Sequence, residues 1–422
     1  MLAVVLSLLI PAVAVSIVAP EATLVAGALT LVAALVGLLV VRRLQLAISL
    51  ALVTVGLTAL ITALSLGHRS TPAELLTVNQ DLIAMLAAVS FIQLIATSTE
   101  AAPAKLTGTK AVWRTAAAVH LLGSVINVSA LNIIGERLGK GRPLTRANEL
   151  LLSRSFSAAA FWSPFWGAAA AAIAYAPGAK ANVLVVCGLC LAAAALAVSI
   201  STVVRAFGLE LKGYHGYVLS WRALGIPLAL VGLVIGAHLA TPEVPIPRLV
   251  LVSSISMTFI TLLVRSPRSV GRRIVTHARV GLPRLAGELT LFASAGVLAI
   301  GLGAFFSVVD LDLPVAEFTV TTAWAATLVM TLMSLIGVHP VISIAAVAAV
   351  IAPLDPEPTL YAMAGMIAWG ASAAAGPISG LNIYLNGRFG ANNFAIARAN
   401  LPYVLVVLAL AWPVLWLVSI LA

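Results

Sequence analysis

Long runs of apolar residues dominate the chain, and short polar segments separate them. The runs do not alternate apolar with polar positions as barrel strands do, and most approach the roughly 20 residues that cross a hydrocarbon core as a helix. Because lipid offers the backbone no hydrogen-bond partners, each run is predicted to be a membrane-spanning α-helix. The eleven predicted spans are approximately 2–19, 23–41, 45–66, 80–100, 150–177, 181–204, 217–240, 247–264, 284–306, 359–385 and 401–421.

Two further apolar segments, 111–134 and 318–352, are interrupted at their centres. The first contains Gly-Ser-Val-Ile-Asn-Val-Ser over 123–129, and the second contains Ser-Leu-Ile-Gly-Val-His-Pro over 334–340. Irregular backbone is tolerated at membrane depth where it faces protein or a water-filled cavity. We therefore predict two re-entrant hairpins, each entering and leaving the membrane on one side.

Two of the predicted spans, 150–177 and 359–385, contain the same string Ser-Ala-Ala-Ala followed by proline and glycine. The first copy begins at Ser157 and the second at Ser372. Proline lacks the N–H that continues a helix, so both spans are predicted to be broken. Membrane helices broken at corresponding places in two halves of a chain are the best sequence-level indication of a transporter's binding site.

The charges favour this arrangement. With the N-terminus in the cytoplasm and both interrupted segments as hairpins, most basic residues fall inside, including the arginine-rich run 265–284. Acidic residues such as Glu243, Glu317 and Asp355 then fall outside, together with the C-terminus. If either hairpin were a full crossing, every later loop would change sides and this separation would be lost.

The number of predicted spans in each half of the chain predicts two inverted repeats. Residues 1–22 form an extra leading helix, and the repeats cover 23–208 and 209–422. Each repeat has five spans and one hairpin, and an odd number of spans inverts the second repeat relative to the first. Further short matches, Asp81-Leu-Ile with Glu288-Leu-Thr and Ser124-Val-Ile with Ser334-Leu-Ile, support the pairing.

Composition agrees with an integral membrane protein, since 62% of the residues are hydrophobic and only 9% are charged, against about 25% charged in soluble domains. The net charge of +10 does not indicate nucleic acid, because the basic residues lie in short loops between spans. The only cysteines, Cys187 and Cys190, share one apolar run, and we interpret them as small apolar side chains rather than as a metal or redox motif. No cofactor is expected.

The hairpin tips and helix breaks supply the candidate site. Their hydroxyl, amide and imidazole groups, with free helix N-termini, suit an anion or a small carboxylate-bearing solute, and no carboxylate is present there for a multivalent cation. The candidate substrate-binding residues are Ser124, Asn127, Ser129, Trp162, Ser163, His339, Gly376, Ser379 and Asn382. The candidate coupling-ion residues are Asn127, Ser157, Gly337, His339 and Ser372, and the ion is Na⁺ or H⁺.

Three features at or near these positions have alternative interpretations. His339 could take part in a proton-coupled step, or it could cap the turn before Pro340 and stay neutral. The aromatic residues 161–166 could line the solute's path or pack against lipid and scaffold. Arg154 is expected to be structural and to extend towards the membrane surface.

The layout resembles the ion transporter superfamily, and within it the divalent anion/sodium symporter branch. The resemblance rests on the leading helix, the two inverted five-helix repeats, and the hairpin and broken helix in each repeat. The Ser-Asn-Thr string of that branch is absent; the corresponding positions hold residues such as Ser124, Asn127, Ser163 and Asn382. The resemblance implies an elevator-like carrier whose hairpins and broken helices move against a scaffold, as a homodimer.

We therefore predict a secondary active transporter in a bacterial cytoplasmic membrane, whose partners are a small anionic solute and the lipid bilayer. The sequence contains no Walker motif that would indicate ATP hydrolysis, and no catalytic motif that would indicate an enzyme. Two alternatives are a cation/proton antiporter of the same superfamily, which should carry an acidic residue at a break, and a membrane-embedded lipid-handling protein.

Overall fold

The computed structural model describes residues 1–95, 107–139, 141–217, 219, 221–309 and 313–422. Within these residues the protein is all-helical, and its one extended pairing is an isolated antiparallel bridge between Thr107 and His215. The prediction of an all-α protein is confirmed for the described residues. Parts of two predicted spans, residues 96–100 and residues 218 and 220, lie outside them.

The described residues form nineteen α-helices. The first ten are α1 (Leu2–Val15), α2 (Ala22–Leu38), α3 (Arg43–Ser65), α4 (Pro72–Thr77), α5 (Gln80–Ser90), α6 (Gly108–Ile126), α7 (Val128–Gly139), α8 (Arg146–Ser157), α9 (Gly167–Ala174) and α10 (Ala181–Phe207). The others are α11 (Trp221–Ala240), α12 (Ile246–Arg265), α13 (Val270–Val280), α14 (Ala286–Phe306), α15 (Val320–Leu335), α16 (Pro340–Ile351), α17 (Pro358–Ala375), α18 (Gly380–Phe389) and α19 (Asn393–Leu421).

Six helical segments of the described chain are long and apolar enough to cross a membrane. They are Arg43–Ser65, Pro72–Leu94, Ala181–Gly213, Ile246–Arg265, Pro267–Phe306 and Asn393–Leu421. Five shorter apolar helices accompany them, including the segments Leu2–Val15 and Ala22–Leu38. These lengths and compositions fit an integral membrane protein, and the number of eleven spans stays a prediction.

The chain divides into two compact units, and each unit takes segments from both halves of the sequence. Unit 1 consists of residues 1–95, 230–317 and 344–356. Unit 2 consists of residues 96–229, 318–343 and 357–422. Unit 2 thus holds the central interruptions of both predicted hairpins, and both broken spans.

Within unit 1, α3 and α14 pack with their backbones in near contact. A Cβ atom at Gly301 would lie 1.8 Å from the carbonyl oxygen of Gly56. Only glycine at this crossing allows the two helices to approach so closely, as small residues do in membrane proteins. An ion pair joins α5 to α12, with Arg248 Nε 2.8 Å from Asp81 Oδ2.

Within unit 2, the helices stop where the sequence predicts interruptions. The segment 150–177 contains α8, a 3-10 turn over Ala158–Phe161, and α9, with Pro164 between them. The segment 359–385 contains α17 and the start of α18, separated by Gly376 and Pro377. A helix–turn–helix occupies each predicted hairpin, with Asn127 between α6 and α7 and residues 336–339 between α15 and α16. Most of α16, residues 344–351, belongs to unit 1 rather than to unit 2.

Candidate functional site

The first break, residues 158–166 between α8 and α9, is hydrogen-bonded to the tip of the first helix–turn–helix, where α6 meets α7 at Asn127. Ser163 Oγ donates a short hydrogen bond to the carbonyl oxygen of Ser124 and also accepts one from Phe165 N at 3.2 Å. Trp166 Nε1 donates to the carbonyl oxygen of Gly123 at 2.9 Å. These carbonyls belong to the last turn of α6, which has no intrahelical partners for them. Side chains of the first break therefore donate hydrogen bonds to the carbonyl groups at the C-terminal end of α6.

His120 is held in one tautomer by this region. Trp162 Nε1, which can only donate, lies 3.1 Å from His120 Nε2, so Nε2 must be the acceptor. The hydrogen then resides on Nδ1, which lies 3.2 Å from the carbonyl oxygen of Ser155. His120 is buried and both of its nitrogens are paired, which makes it a structural histidine in this conformation. Trp162 uses its single N–H in this contact.

The N-terminus of α9, which forms the second half of the first break, is buried and uncapped. No side chain caps it, and Gly167, Ala168 and Ala169 are all buried. Their amide groups donate no hydrogen bond to another described residue. A buried helix end without partners is costly, so three converging N–H donors mark a place where water or an anion would be stabilised.

The second break, residues 376–379 between α17 and α18, offers a hydrogen-bond acceptor rather than donors. Asn382 Nδ2 donates to the carbonyl oxygens of Ala374 and Gly376, at 3.0 and 2.9 Å, while Ser379 Oγ caps α18 and donates to Ala373 O. Asn382 is fully buried, and its Oδ1 has no hydrogen-bond partner among the described residues. The second break therefore presents an unpaired acceptor oxygen where the first presents unpaired donors.

The second tip lies against the second break. A Cβ at Gly376 would stand 3.4 Å from the carbonyl oxygen of Ser334, and one at Gly337 would stand 3.0 Å from Ile378 Cδ1. Gly337 has a φ of +102°, which favours glycine at this turn. His339 Nδ1 accepts a bond of 3.3 Å from Val341 N, and the ring packs edge-on to Trp369 with centroids 5.4 Å apart. His339 thus caps the first turn of α16, as the capping interpretation describes.

The two broken spans touch each other next to their Ser-Ala-Ala-Ala strings. A Cβ at Gly370 would stand 2.3 Å from the Phe161 ring and 3.1 Å from the carbonyl oxygen of Ser157. Asn400, on α19, bridges them by donating to Ser153 Oγ at 2.8 Å and to the carbonyl oxygen of Ala374 at 2.9 Å. The paired strings therefore form one packed crossing inside unit 2.

The remaining candidates divide into free and occupied groups. Asn127 has a φ of +50°, and it and Ser129 are half-buried with side chains that bond to no other described residue. Ser157 and Ser372 each donate to a carbonyl of their own helix, at Arg154 and Ala368 respectively. The first pair is available to a solute, whereas the second pair offers only oxygen lone pairs.

Arg154 does not extend to the membrane surface, contrary to the sequence-based expectation. It is 6% exposed, and its guanidinium donates to oxygens on α10 and α19. The acceptors are Asn400 Oδ1 at 2.9 Å, Ser199 Oγ at 3.4 Å, Thr202 Oγ1 at 2.8 Å and the Ala399 carbonyl oxygen at 2.9 Å. All four are neutral, so unit 2 contains a buried positive charge that these partners do not neutralise.

Sequence reasoning also missed a polar contact between α7 and α18. Asn132 Oδ1, on α7, accepts from Arg388 Nε at 2.9 Å and from Tyr384 Oη at 3.2 Å, both on α18. Arg388 also forms a short ion pair with Glu136, which lies 252 positions away in the sequence. Such separations leave no local pattern that could have been recognised.

No protein-family model matches the chain, and no curated protein is significantly similar to it. The described residues also contain no group of three or more His, Cys, Asp or Glu side chains that could hold a metal ion. Functional inference therefore rests on the chemistry of the breaks.

Proposed function

We propose that the protein is a secondary active transporter for a small anionic solute, with the solute bound at the first break. The observation that carries the proposal is the buried N-terminus of α9, where three amide donors have no described partner. An anion there would accept hydrogen bonds from Gly167, Ala168 and Ala169 and would be favoured by the helix dipole. The free Asn127 and Ser129 side chains of the first tip add neutral polar groups.

The buried charge of Arg154 supports an anion rather than a cation as cargo. Its partners are neutral oxygens, so the interior of unit 2 carries a net positive charge in this region. In a medium of low dielectric constant, such a charge attracts anions over several ångströms. Arg154 itself stays a positioning residue, because its hydrogen bonds are directed at the protein.

A coupling cation fits the second break, and we favour Na⁺ over H⁺. Asn382 Oδ1 is an unpaired acceptor, and hard cations bind amide and carbonyl oxygens of this kind. His339 is the alternative proton carrier, but its Nδ1 already accepts a bond from the backbone, which a protonated ring could not do. Sodium binding requires no such loss.

The division into units supports an elevator-like mechanism. Unit 2 contains both breaks and both tips, while unit 1 contains α1 to α5, α12 to α14 and most of α16. We assign unit 2 as the mobile carrier and unit 1 as the scaffold of a homodimer in a bacterial cytoplasmic membrane. The cation/proton antiporter alternative is less well supported, because the described residues of the two breaks, 158–166 and 376–379, include no carboxylate.

A proline substitution tests the anion site directly. In Gly167→Pro one buried donor is removed, and proline is tolerated at a first helical position. The preceding residue, Trp166, already has the extended conformation that proline requires, with φ −92° and ψ 146°. One hydrogen bond to a charged group corresponds to roughly tenfold or more in affinity, so uptake into proteoliposomes should fall by at least about tenfold.

The assay uses the anion that most stabilises the purified protein in a screen of inorganic anions, carboxylates and sulfonates. Gly380→Pro is the control for proline at a first helical position, because it opens α18 after an equally extended Ser379 at an exposed site. Its uptake should stay within about threefold of the unmodified protein. Equal loss in both variants would place the solute elsewhere. Replacing an inward sodium gradient by a proton gradient should abolish uptake; uptake driven by protons alone would contradict sodium coupling.

A further inference from the structure

The segment 265–287 of unit 1 contains six arginines and no acidic residue. They are Arg265, Arg268, Arg272, Arg273, Arg279 and Arg284. Positive charge in a loop between spans is expected for orientation alone. The structure, however, distributes these arginines unequally: three of them line one concave pocket and three do not.

The pocket lies between α13 and the 3-10 turn that follows α5, and its volume is about 410 Å³. Arg272, Arg273, His277 and Arg284 contribute to its wall, and no acidic residue does. This volume lies within the range of small-molecule sites. The pocket therefore has the size and the charge to hold an anionic group.

The walls are fixed by specific contacts. Arg273 donates to the carbonyl oxygen of Leu94 at 2.6 Å, and His277 Nε2 lies 2.9 Å from Ser90 Oγ. The His277 ring also packs on Phe91, with centroids 4.6 Å apart. Arg272 and Arg284, by contrast, are exposed and form no ion pair with a described residue. Two free guanidinium groups thus stand at the rim of a built pocket.

The helix α13 has the pattern of a helix that lies along a membrane surface. Its half-buried stripe, which packs towards the rest of unit 1, includes Arg273, Ile274, His277 and Ala278. Its exposed face mixes Arg272 and Arg279 with Val275 and Val280, which are 48% and 51% exposed. Exposed valines between arginines suit the boundary between headgroups and acyl chains.

An apolar groove adjoins the pocket along α13. Ile274 and Ala278 line the groove, whereas their neighbours Arg273 and His277 line the basic pocket. The remaining groove wall comes from α1, α12 and Phe91 and is predominantly apolar. A basic cavity beside an apolar groove matches one molecule with an anionic head and an apolar chain.

We propose that unit 1 binds an anionic phospholipid at this place, with its phosphate in the basic pocket and an acyl chain along the apolar groove. Phosphate accepts charge-assisted hydrogen bonds from arginine, and basic pockets beside membrane helices bind such headgroups. The site is separate from the proposed transport site, and its test does not depend on transport.

The test titrates the purified full-length protein in detergent with phosphatidylglycerol, with phosphatidylcholine of the same acyl chains, and with soluble glycerol phosphate. The readout is the apparent dissociation constant from the thermal unfolding midpoint. Phosphatidylglycerol should bind, and the other two should bind at least about tenfold more weakly, because each lacks the net charge or the acyl chain. Equal binding of phosphatidylcholine, or of glycerol phosphate, would overturn the proposal.

A pair of double variants separates pocket from surface charge. In R272Q/R284Q two pocket arginines are removed, and phosphatidylglycerol should bind about 25-fold more weakly, at about fivefold per arginine. In R268Q/R279Q the same charge is removed from outside the pocket, and binding should change by less than about threefold. Equal losses would show that only net charge matters and would overturn the site. If the double variant is not monodisperse, R284Q against R279Q makes the same comparison.

Discussion

Arg154 connects three helices of unit 2 through hydrogen bonds to neutral oxygens. Its partners Ser199 and Thr202 lie on α10, and Asn400 and Ala399 lie on α19. The planar guanidinium, with five donors in fixed directions, can satisfy all of them at once, which a lysine ammonium cannot. Asn400 in turn holds the crossing of the two broken spans. The residue thus stabilises the site without contacting a solute.

At this scale we predict that Arg154→Met destabilises the protein by about 2 kcal/mol, because the buried Asn400 Oδ1 would be left without a donor. The thermal unfolding midpoint in detergent measures the effect. Arg142→Gln is the control, since its side chain is exposed and forms no ion pair with a described residue. An Arg154→Met midpoint equal to that of the control would show that the hydrogen bonds are not stabilising.

At the scale of elements, glycine sets how closely α10 approaches the first break. A Cβ at Gly188 would lie 2.0 Å from the carbonyl oxygen of Phe161 and 2.8 Å from Trp162 Cβ. The obstructing atoms belong to the backbone of the break and to the base of a side chain, so they cannot rotate away. The close approach is therefore possible only without a side chain, and it fixes the 3-10 turn against α10.

We predict that Gly188→Ala displaces the first break, lowers the free energy of unfolding by about 1–3 kcal/mol, and reduces uptake by the protein that remains folded. Gly232→Ala on α11 is the matched control, because no atom lies within 4 Å of its Cβ position. Alanine there should be neutral or stabilising by up to about 1 kcal/mol. Thermal midpoints and uptake of both variants decide the matter, and a Gly188→Ala protein that behaves like the control would refute the packing argument.

At the scale of the whole molecule, the two compact units do not follow the two predicted repeats. Each unit is assembled from both halves, as expected if equivalent elements of inverted repeats perform equivalent roles. The repeat boundaries at 23–208 and 209–422 and the re-entrant course of the two helix–turn–helix segments stay predictions. Both depend on which side of the membrane each loop occupies.

Cysteine labelling tests this topology. In a variant without Cys187 and Cys190, Glu317→Cys and Asp355→Cys flank the second helix–turn–helix at exposed positions. Because a re-entrant hairpin returns to the side it came from, a membrane-impermeant maleimide should label both from outside the cell. Ser269→Cys, in the arginine-rich segment, should react only after the membrane is permeabilised. Labelling of only one of the two flanking positions would show a full crossing.

The sequence by itself determined the local events. Pro164, Gly376 and Pro377 interrupt the helices because proline cannot donate to a helical turn, and Gly337 permits a left-handed turn, whatever the surroundings. Acidic residues Asp81 and Glu288 occupy the first turns of α5 and α14, as their sequence matches predict. Composition, together with apolar runs that do not alternate, likewise indicated an all-helical membrane protein.

Only the tertiary structure decided which polar groups are used and which stay free. Arg154 and Asn400 are 246 residues apart, and Asn132 and Arg388 are 256 apart. No local pattern encodes such pairs, since they depend on how separate helices pack. The same packing buries the start of α9 without a cap and leaves Asn382 Oδ1 without a donor. Sequence thus located the two breaks, while long-range packing made one a cluster of donors and the other an acceptor.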